Sequence, residues 1–380
     1  MTVELEVIPS IAACETLKPE WEQLLSSCPQ ATVFNTFGWI KANLLAFPNR
    51  ETWILVFRHS TSSLAAVIPL VVRRGRRYFR ERRWVEFAGL PYADYGSCLV
   101  RPGYEAAVAE GLVEFWGSKA ASWDGIFLDR FKAGAPFVGS LASAAKNHGL
   151  STTVRESEHI RRLTREEFVA EGLRGGHASK SLGKARNRLS ERGDLRFEVY
   201  GLAEQIHERL EMFFAWHVER FAAKGQRSPL ADPLHREFYR SIVEELAPQG
   251  QIWLSVLSCG DVAIAMKVTP LFAGTLHLYS TCFNEAFARY SPSMLQLEML
   301  LEHAFQSGIA CVDFGIGESP QKEYATAEVG HTLATIEIYR EKISPLEGRL
   351  YQAAEQARSQ SRLIPWAGRL FRRFFPYNVR

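Results

Sequence analysis

The chain has 380 residues and a formal net charge of +3, with 45 Lys and Arg against 42 Asp and Glu. Its length exceeds the usual size of one domain, which favours two cores. Hydrophobic residues make up 47% and charged residues 23%, a balance that indicates a globular chain and excludes a mostly disordered one. The small net charge gives no argument for nucleic-acid binding.

The six cysteines have neither the spacing of a zinc site nor that of a disulfide framework. We therefore expect free thiols, no metal cofactor and a reducing compartment. No window reaches about 18 consecutive apolar residues, and the first residues do not have the pattern of a secretory signal. The sequence predicts a cytoplasmic protein without a membrane-spanning helix.

Periodic apolar patterns predict a mixed α/β first half. In chain order they predict a helix over 34–47, strands from Trp53 and Leu64, a helix over 104–121, the strand GIFLDRF, a helix over 137–148 and a strand from Ser151. The arginine-rich segment RRGRRYFRERR lies between two strand-like runs, which is typical of an exposed hairpin.

The second half begins with two predicted helices, KSLGKARNRLSERG and EQIHERLEMFFAWHVERF, the latter with an apolar stripe. Gly260-Asp261 lies between alternating apolar runs and predicts a hairpin. The remaining elements are the strand TLHLYSTCF, the loop NEAFARYSPS, a helix over 294–306 that ends near Gly308, the strand IACVDFG, a short helix and the strand HTLATIEIYRE.

A strand that ends in aspartate follows a helix once in each half of the chain. The first runs over 126–129 and ends in Asp129, and the second runs over 310–313 and ends in Asp313. The match indicates a distant duplication, with chance similarity as the alternative, because apolar strands that end in Asp are common.

The stretch FNEAFARYSPSMLQLEMLLEHAFQSGIACVDFGIG is the most distinctive part of the sequence, together with ESPQKEY after it and KSLGKARNRLSERGDLRFEV before it. It resembles the CelD-like family of GNAT-related acetyltransferases, named after bacterial cellulose biosynthesis. The resemblance covers residues 160–330. The related Fem aminoacyl ligases share a tandem GNAT arrangement, which would explain both the length and the duplication.

The resemblance implies an α/β (α+β) fold of tandem GNAT-like domains, each a mixed, mostly antiparallel sheet flanked by helices. A degenerate, acceptor-shaping domain would occupy 1–155, a domain with the acyl-CoA site would occupy 156–345, and a basic amphipathic tail would occupy 346–380.

The implied function is transfer of an acyl group, such as acetyl, from acyl-CoA to an amine or hydroxyl of a sugar or envelope (exopolysaccharide) precursor. Two alternatives stay open. One is a Fem-like ligase that uses aminoacyl-tRNA, the only case in which a nucleic acid is a partner. The other is a non-catalytic accessory protein of cellulose or other polysaccharide biosynthesis.

The loop before the helix over 294–306 is the candidate phosphate site. The first backbone N–H groups of a helix stabilise an anion, and Pro292 with a flanking serine suits a helix start. The sequence RYSPS stands where ordinary GNAT enzymes have a glycine-rich loop. The alternative is a Ser-Pro cap on a core helix. The candidate cofactor-binding residues are Arg289, Tyr290, Ser291, Ser293 and Met294.

Asp313 ends its strand at an edge where ligands collect in open α/β sheets. We expect it to accept a proton from the attacking amine or hydroxyl, or to orient the acceptor. The alternative is an aspartate that hydrogen-bonds the following turn. Tyr324 is the candidate acid for a departing thiolate, and Lys322 and Glu318 are candidate substrate-binding residues.

His217 and Arg220 lie one turn apart on the predicted helix with the apolar stripe. We expect His217 to assist as a general base, with a structural histidine as the alternative. Arg220, together with His217, would bind a carboxylate or phosphate of the acceptor.

Basic residues recur every four positions at Lys180, Lys184, Arg188 and Arg192. The row is either a solvated face or a contact for an anionic ligand such as a nucleotide-linked sugar, with Arg188 as its candidate substrate-binding residue. The final segment, 356–380, holds arginines and large apolar residues but no acid. That composition suits a helix that contacts an anionic membrane surface or a partner, or one that docks on the protein itself.

Overall fold

The computed structural model describes residues 2–59, 63–77, 80–96, 98–171, 176–317, 322, 325 and 328–340. Two of the predicted site residues, Glu318 and Tyr324, lie outside the described residues, and so does the predicted tail over 346–380.

Helices and strands alternate along the chain, as the periodic patterns predict. The helices are α1 (Lys18–Ser27), α2 (Phe37–Ala46), α3 (Glu105–Ser118), α4 (Pro136–Asn147), α5 (Arg165–Glu171), α6 (Gly176–Ser190), α7 (Ala203–Ala223), α8 (Pro233–Leu246) and α9 (Pro292–Gln306). The strands are β1 (Val3–Ile8), β2 (Glu51–His59), β3 (Leu64–Arg77), β4 (Arg80–Phe87), β5 (Leu99–Val100), β6 (Gly125–Lys132), β7 (Ser151–Thr164), β8 (Leu195–Tyr200), β9 (Ile252–Cys259), β10 (Val262–Phe272), β11 (Thr275–His277), β12 (Ser280–Phe283), β13 (Cys311–Asp313) and β14 (Glu328–Tyr339).

The chain divides into two compact units, neither of which is continuous in sequence. The first unit holds residues 1–31, 48–157 and those from 333 onward, and the second holds 32–47 and 158–332. Strands β7 and β14 each contribute residues to both units. The domain boundary after residue 155 stays a prediction.

Strands β1, β2, β3, β4, β6 and β14 follow one another in the sheet of the first unit. All neighbours are antiparallel except β4 and β6, which pair in parallel at Trp84 with Gly125 and at Val85 with Ile126. Helices α3 and α4 contribute Leu112 and Leu141 to a core of fully buried apolar side chains. Burying each such leucine contributes about 1.5–3 kcal/mol to folding.

In the second unit the strand order is β7, β13, β11, β10, β9, β8, with β12 paired to β10. Here β11 and β13 are the parallel pair, and the other neighbours are antiparallel. One face of α9 packs on this pair, because Leu297 and Leu301 share a buried cluster with Leu276 of β11 and Val312 of β13.

Gln296 fixes the first turns of α9 over the sheet. Its buried amide nitrogen donates to the carbonyl oxygens of Ser255 in β9, at 2.8 Å, and of Ala265 in β10, at 3.2 Å. Ala265 follows a register shift in the pairing of β9 with β10. The N-terminus of α9 is thereby held at a defined place above both strands.

The same arrangement occurs in both units. In each, a strand is followed by a helix and then by a second strand parallel to the first: β4, α3 and β6 in the first unit, and β11, α9 and β13 in the second. The later strand pairs on its other side with an antiparallel strand, β14 or β7. Strands β6 and β13, which contain Asp129 and Asp313, therefore occupy matching places. The predicted strand end at Asp129 is wrong, because β6 continues to Lys132, whereas β13 does end at Asp313.

The segment TLHLYSTCF, predicted as one strand, forms two. Residues of β11 pair with β13, whereas those of β12 pair with β10 alone among the described strands. Both β11 and β12 pair with β10, and only β11 also pairs with β13, so the predicted strand is interrupted at Leu278 and Tyr279. The predicted loop NEAFARYSPS contains a 3₁₀ helix over Glu285–Tyr290, started by the Asn284 side chain, which accepts from the Ala286 N–H. Helix α9 begins at Pro292, two residues earlier than predicted.

The fold class predicted from the sequence, α/β with mostly antiparallel sheets flanked by helices, is confirmed. All six cysteines are free thiols. Within the described ranges, no helix combines the length and the apolarity needed to cross a bilayer.

Candidate functional site

The start of α9, the predicted phosphate site, has an unusual backbone. Ser291 precedes the helix with φ +51° and ψ +49°, the left-handed region that non-glycine residues rarely adopt. Its N–H donates to the Ala288 carbonyl, while its own carbonyl accepts from the N–H groups of Met294 and Leu295. Pro292 has no N–H. Of the first four backbone positions of this helix start, Ser291 and Met294 have N–H groups that are already bonded and Pro292 has none, so the backbone is a weaker anion site than an ordinary helix N-terminus.

Two guanidinium groups converge on one phenol beside this helix start. Arg192 and Arg289 donate to the hydroxyl oxygen of Tyr290, at 3.0 Å and 2.7 Å. These hydrogen bonds, led by that of Arg192, lower the pKa of Tyr290. Arg192 lies beyond the end of α6 at Ser190, so it is not part of the helical row predicted from the sequence. Both arginines are exposed, which leaves them accessible to an anionic ligand.

Lys267, which the sequence reasoning missed, lies under the same helix start. It is in the middle of β10 and only 2% exposed. Its Nζ donates to Thr281 Oγ1 at 3.0 Å and to Ser293 Oγ at 3.2 Å. Burial, followed by the charge of Arg220, lowers the pKa of Lys267 to about 7. The predicted site residue Ser293 is therefore bound to a buried amine.

Arg220 reaches β12 from α7. Its Nη1 donates to the Thr281 carbonyl at 3.0 Å, and its guanidinium lies 4.8 Å from the ring centroid of Phe283. The Nε–H is buried and has no hydrogen-bond partner among the described residues. Burial lowers the pKa of Arg220, whereas Cys282 and Glu285 raise it. A desolvated guanidinium with a spare donor is suited to binding an anion.

His217 lies one turn before Arg220, as the sequence predicts. Its Nδ1 is 2.8 Å from Ser228 Oγ, and its ring stacks on Phe221 at 4.6 Å. Burial and then the Arg220 charge lower the pKa of His217 to about 4. The imidazole is thus neutral at pH 7, the form in which it can accept a proton.

Asp313 lies at the point where the parallel strands of the second unit part. It pairs in register with His277, the last residue of β11, and both side chains are buried. His277 Nδ1 is 3.9 Å from Asp313 Oδ1, which also accepts the Gly315 N–H at 2.8 Å. The hydrogen bond to Gly315 is the turn contact named as the alternative for Asp313. The neighbouring His277 was not predicted as a site residue.

Lys322 is buried, and its amine donates to the carbonyl oxygens of Gly315 and Gly317. It therefore closes the turn that follows Asp313. Arg188 is exposed on α6, and Leu182 and Leu189 are buried on the other face of that helix, as predicted. The structure thus brings Ser293 and Arg220 together around β12, and places Asp313 and Lys322 at the end of β13.

One of the missed residues had a signal in the sequence. Lys267 interrupts the apolar run VAIAMKVTP, and lysine is rarely buried in such a run without a specific role. His277 carries no comparable signal, because its importance depends on its register with Asp313, which lies 36 positions later on another strand.

In the first unit, the chain itself fills the region at the end of β6. Arg130 is buried there with φ +66°. Its Nη1 donates to the carbonyl oxygens of Pro91, at 3.1 Å, and Ala93. The Gly96 N–H returns a hydrogen bond to the Arg130 carbonyl at 2.8 Å. The segment that follows β4 is thereby tied to β6.

Comparisons with known proteins bear on the fold. Residues 176–324 match the family model described as an acetyltransferase (GNAT) domain. A search of the curated proteins found no significant match.

Three solved structures are similar over most of the chain. A crystal structure of FemX is 10% identical with a TM-score of 0.58, and the match covers 92% of this chain and 99% of that one. A protein of unknown function from Bacteroides thetaiotaomicron is 10% identical with a TM-score of 0.58, over 89% and 100%. The C-terminal domain of a lysylphosphatidylglycerol synthetase candidate from Agrobacterium fabrum is 11% identical with a TM-score of 0.54, over 90% and 96%. At these identities the likeness to the solved structures shows the fold alone, and the GNAT match is confined to residues 176–324.

Proposed function

We propose that the protein is an acyltransferase that moves an acyl group, such as acetyl, from coenzyme A to an amine or hydroxyl of a sugar or envelope precursor. The observation that carries the proposal lies inside the GNAT-type domain. Basic side chains from α7, β10 and the segment around Tyr290 gather at the start of α9, beside strands that part at His277 and Asp313. This arrangement would hold a phosphate-bearing donor along one strand edge.

The donor supplies an activated acyl group. The protein has to bind the donor, orient the acceptor and remove one proton from the attacking amine or hydroxyl. Arg192, Arg289 and Lys267 are the candidate partners of the donor's phosphates. Holding donor and acceptor in line accounts for much of the expected acceleration, because effective concentrations rise steeply in a fixed geometry.

The proton of the attacking amine or hydroxyl needs an acceptor. Asp313 is our first candidate, and His217, which is neutral at pH 7, is the second. His277 would act as a positioning residue for the Asp313 carboxylate. Tyr324 remains the candidate acid for the departing thiolate.

The first unit would shape the acceptor cleft and would not bind a donor. The support is the contact of Arg130 with Pro91 and Ala93, which ties a chain segment to the end of β6. The sequence resemblance to CelD-like proteins supports an acceptor from polysaccharide or envelope biosynthesis, and the proposed site of action is the cytoplasm or the inner face of the membrane.

A Fem-like aminoacyl ligase is the second candidate. The start of α9 favours this candidate. In coenzyme A enzymes a glycine-rich loop offers backbone N–H groups to the phosphates, whereas here the N–H groups of Ser291, Met294 and Leu295 are already bonded to carbonyl oxygens. The accessory role without catalysis is the third outcome.

One experiment separates the three functions. The purified full chain is titrated with acetyl-CoA and with aminoacyl-tRNA, and thiol release from acetyl-CoA is then followed with amino sugars and sugar precursors as acceptors. Binding of acetyl-CoA that Ser293→Trp weakens supports the proposal. Binding of aminoacyl-tRNA alone contradicts it, and binding of neither leaves the accessory role. The matched control is Ser190→Trp, at the exposed end of α6.

A further inference from the structure

Lys267 occupies a position that favours the neutral amine. Its side chain is almost completely buried in β10, where desolvation penalises an ammonium far more than an amine. Thr281 and Ser293, the two hydroxyls that it reaches, can pair with either form of the nitrogen. Neither hydroxyl supplies a negative charge.

Neighbouring positive charge acts in the same direction. Ser293 is the second residue of the 15-residue helix α9, so the Lys267 nitrogen lies beside the positive end of a helix dipole. Arg220 on α7 repels a second cation, while the Cys282 thiol on β12 stays protonated because burial raises its pKa. Together with burial, the Arg220 charge lowers the pKa of Lys267 to about 7.

An anion at the same helix end would reverse this balance. The backbone offers it little, because the N–H groups of Ser291, Met294 and Leu295 are bonded to carbonyls and Pro292 has none. A negatively charged group near Ser293 would instead stabilise an ammonium on Lys267 through a charge-assisted interaction.

We propose that Lys267 takes up a proton when a phosphate-bearing donor binds at the start of α9, so that donor binding is coupled to the charging of a buried lysine. The inference rests on the acyl-CoA function proposed above and names the residue that answers the donor's charge. One proton passes from solvent to the neutral amine, and no bond to carbon forms or breaks. Donor affinity should therefore fall as the pH rises above about 7, by at most about tenfold per pH unit.

The test is calorimetric titration of the full chain with dephospho-coenzyme A, which carries the diphosphate but not the phosphate monoester whose own pKa of about 6 would add proton exchange. Titrations in two buffers of different ionisation enthalpy give the number of protons taken up. With a free-state pKa of about 7 we expect roughly 0.9 proton at pH 8 and roughly 0.1 at pH 6. Coenzyme A is titrated in parallel.

Variants assign the proton to its site. Lys267→Met should abolish uptake at pH 8 and weaken binding at pH 6 by about tenfold or more. Lys267→Arg, which stays charged, should bind without proton uptake, and it tests the inference independently if the methionine variant does not fold. Lys224→Met, at an exposed lysine after α7, should behave as the unaltered chain.

Different results would overturn the proton uptake by Lys267 and the acyl-CoA function. Binding heat without proton uptake at pH 8, or uptake that persists in Lys267→Met, overturns the inference and leaves the acyl-CoA function standing. Absence of binding heat for both ligands overturns the function and the inference with it.

Discussion

The Lys267 amine lies 3.2 Å from the hydroxyl oxygen of Ser293, so a buried basic group of β10 is bonded to the first turn of α9. This contact joins the strand edge that would carry the donor to the helix end that would face its phosphates.

Burial of Lys267 should lower the unfolding free energy at pH values where lysine is charged in the unfolded chain. Because its folded pKa, about 7, lies below the ordinary lysine value, the native state disfavours the charged form. The penalty is absent above the unfolded pKa of about 10.4, grows as the pH falls, and is complete below about 7. The difference in unfolding free energy between Lys267→Met and the unaltered chain should therefore shift in favour of the variant as the pH falls from 10 to 7, by up to a few kcal/mol.

Urea unfolding of both proteins at pH 7 and pH 10 measures this difference. A difference in unfolding free energy that is equal at the two pH values would contradict the assigned environment of Lys267.

Ser291 stores backbone strain at the start of α9. Its positive φ is disfavoured for any residue with a Cβ, so Ser291→Gly should stabilise the fold by about 0.5–1 kcal/mol. Ala288→Gly in the preceding 3₁₀ helix is the matched control and should destabilise by a similar amount, because the backbone there is helical. Chemical denaturation reports both, and a loss of stability in Ser291→Gly would argue against strain.

The two arginines on Tyr290 should contribute to donor affinity through charge. Arg289→Ala and Arg192→Ala are each expected to weaken acetyl-CoA binding by about tenfold, and the loss should shrink at high salt because exposed charges are screened. Arg196→Ala is the control, since Arg196 pairs with the exposed Asp261 on the β9–β10 hairpin. Equal affinities for all three variants would exclude the arginines from the donor site.

Asp313→Asn separates the catalytic from the structural role of this residue. The amide oxygen keeps an acceptor for the Gly315 N–H, so the turn should persist, whereas the proton acceptor is lost. We expect the transfer rate to fall by roughly a hundredfold or more, with an unchanged KM for acetyl-CoA and an unchanged thermal midpoint. A variant that retains the full rate would leave Asp313 with the turn contact alone.

The segment over 356–380 is predicted from its composition to contact an anionic membrane surface. Removing it should abolish co-sedimentation with vesicles rich in phosphatidylglycerol and leave the binding of acetyl-CoA intact. Co-sedimentation that is equal with and without the segment would refute membrane contact through it.

Periodicity in the sequence was sufficient to predict most helices and strands, including the hairpin at Gly260-Asp261 and the strands of Asp129 and Asp313 that occupy matching places in the two units. It could not predict the break between β11 and β12, because the break depends on pairing with distant strands: both parts pair with β10, and only β11 also pairs with β13. Local patterns also could not predict that β7 and β14 each contribute residues to both units, because this division depends on contacts between distant parts of the chain.

In the candidate site, too, local patterns indicate some residues, whereas others depend on contacts between distant parts of the chain. Ser293, Arg220 and Asp313 are residues that local spacing could indicate, because each lies at a helix start, on a helix face or at a strand end. Their partners could not be predicted locally: Lys267 reaches Ser293 across 26 positions, and His277 meets Asp313 only through strand register.

We propose that the second unit binds an acyl-CoA, transfers its acyl group to an acceptor and releases the coenzyme A thiol. The most direct test of this proposal is thiol release from acetyl-CoA by the full chain, measured across amino-sugar and hydroxyl acceptors, with Asp313→Asn as the comparison. We expect thiol release that depends on the acceptor and that Asp313→Asn strongly reduces. Release that no acceptor stimulates, or the absence of acetyl-CoA binding at millimolar concentration, would contradict it.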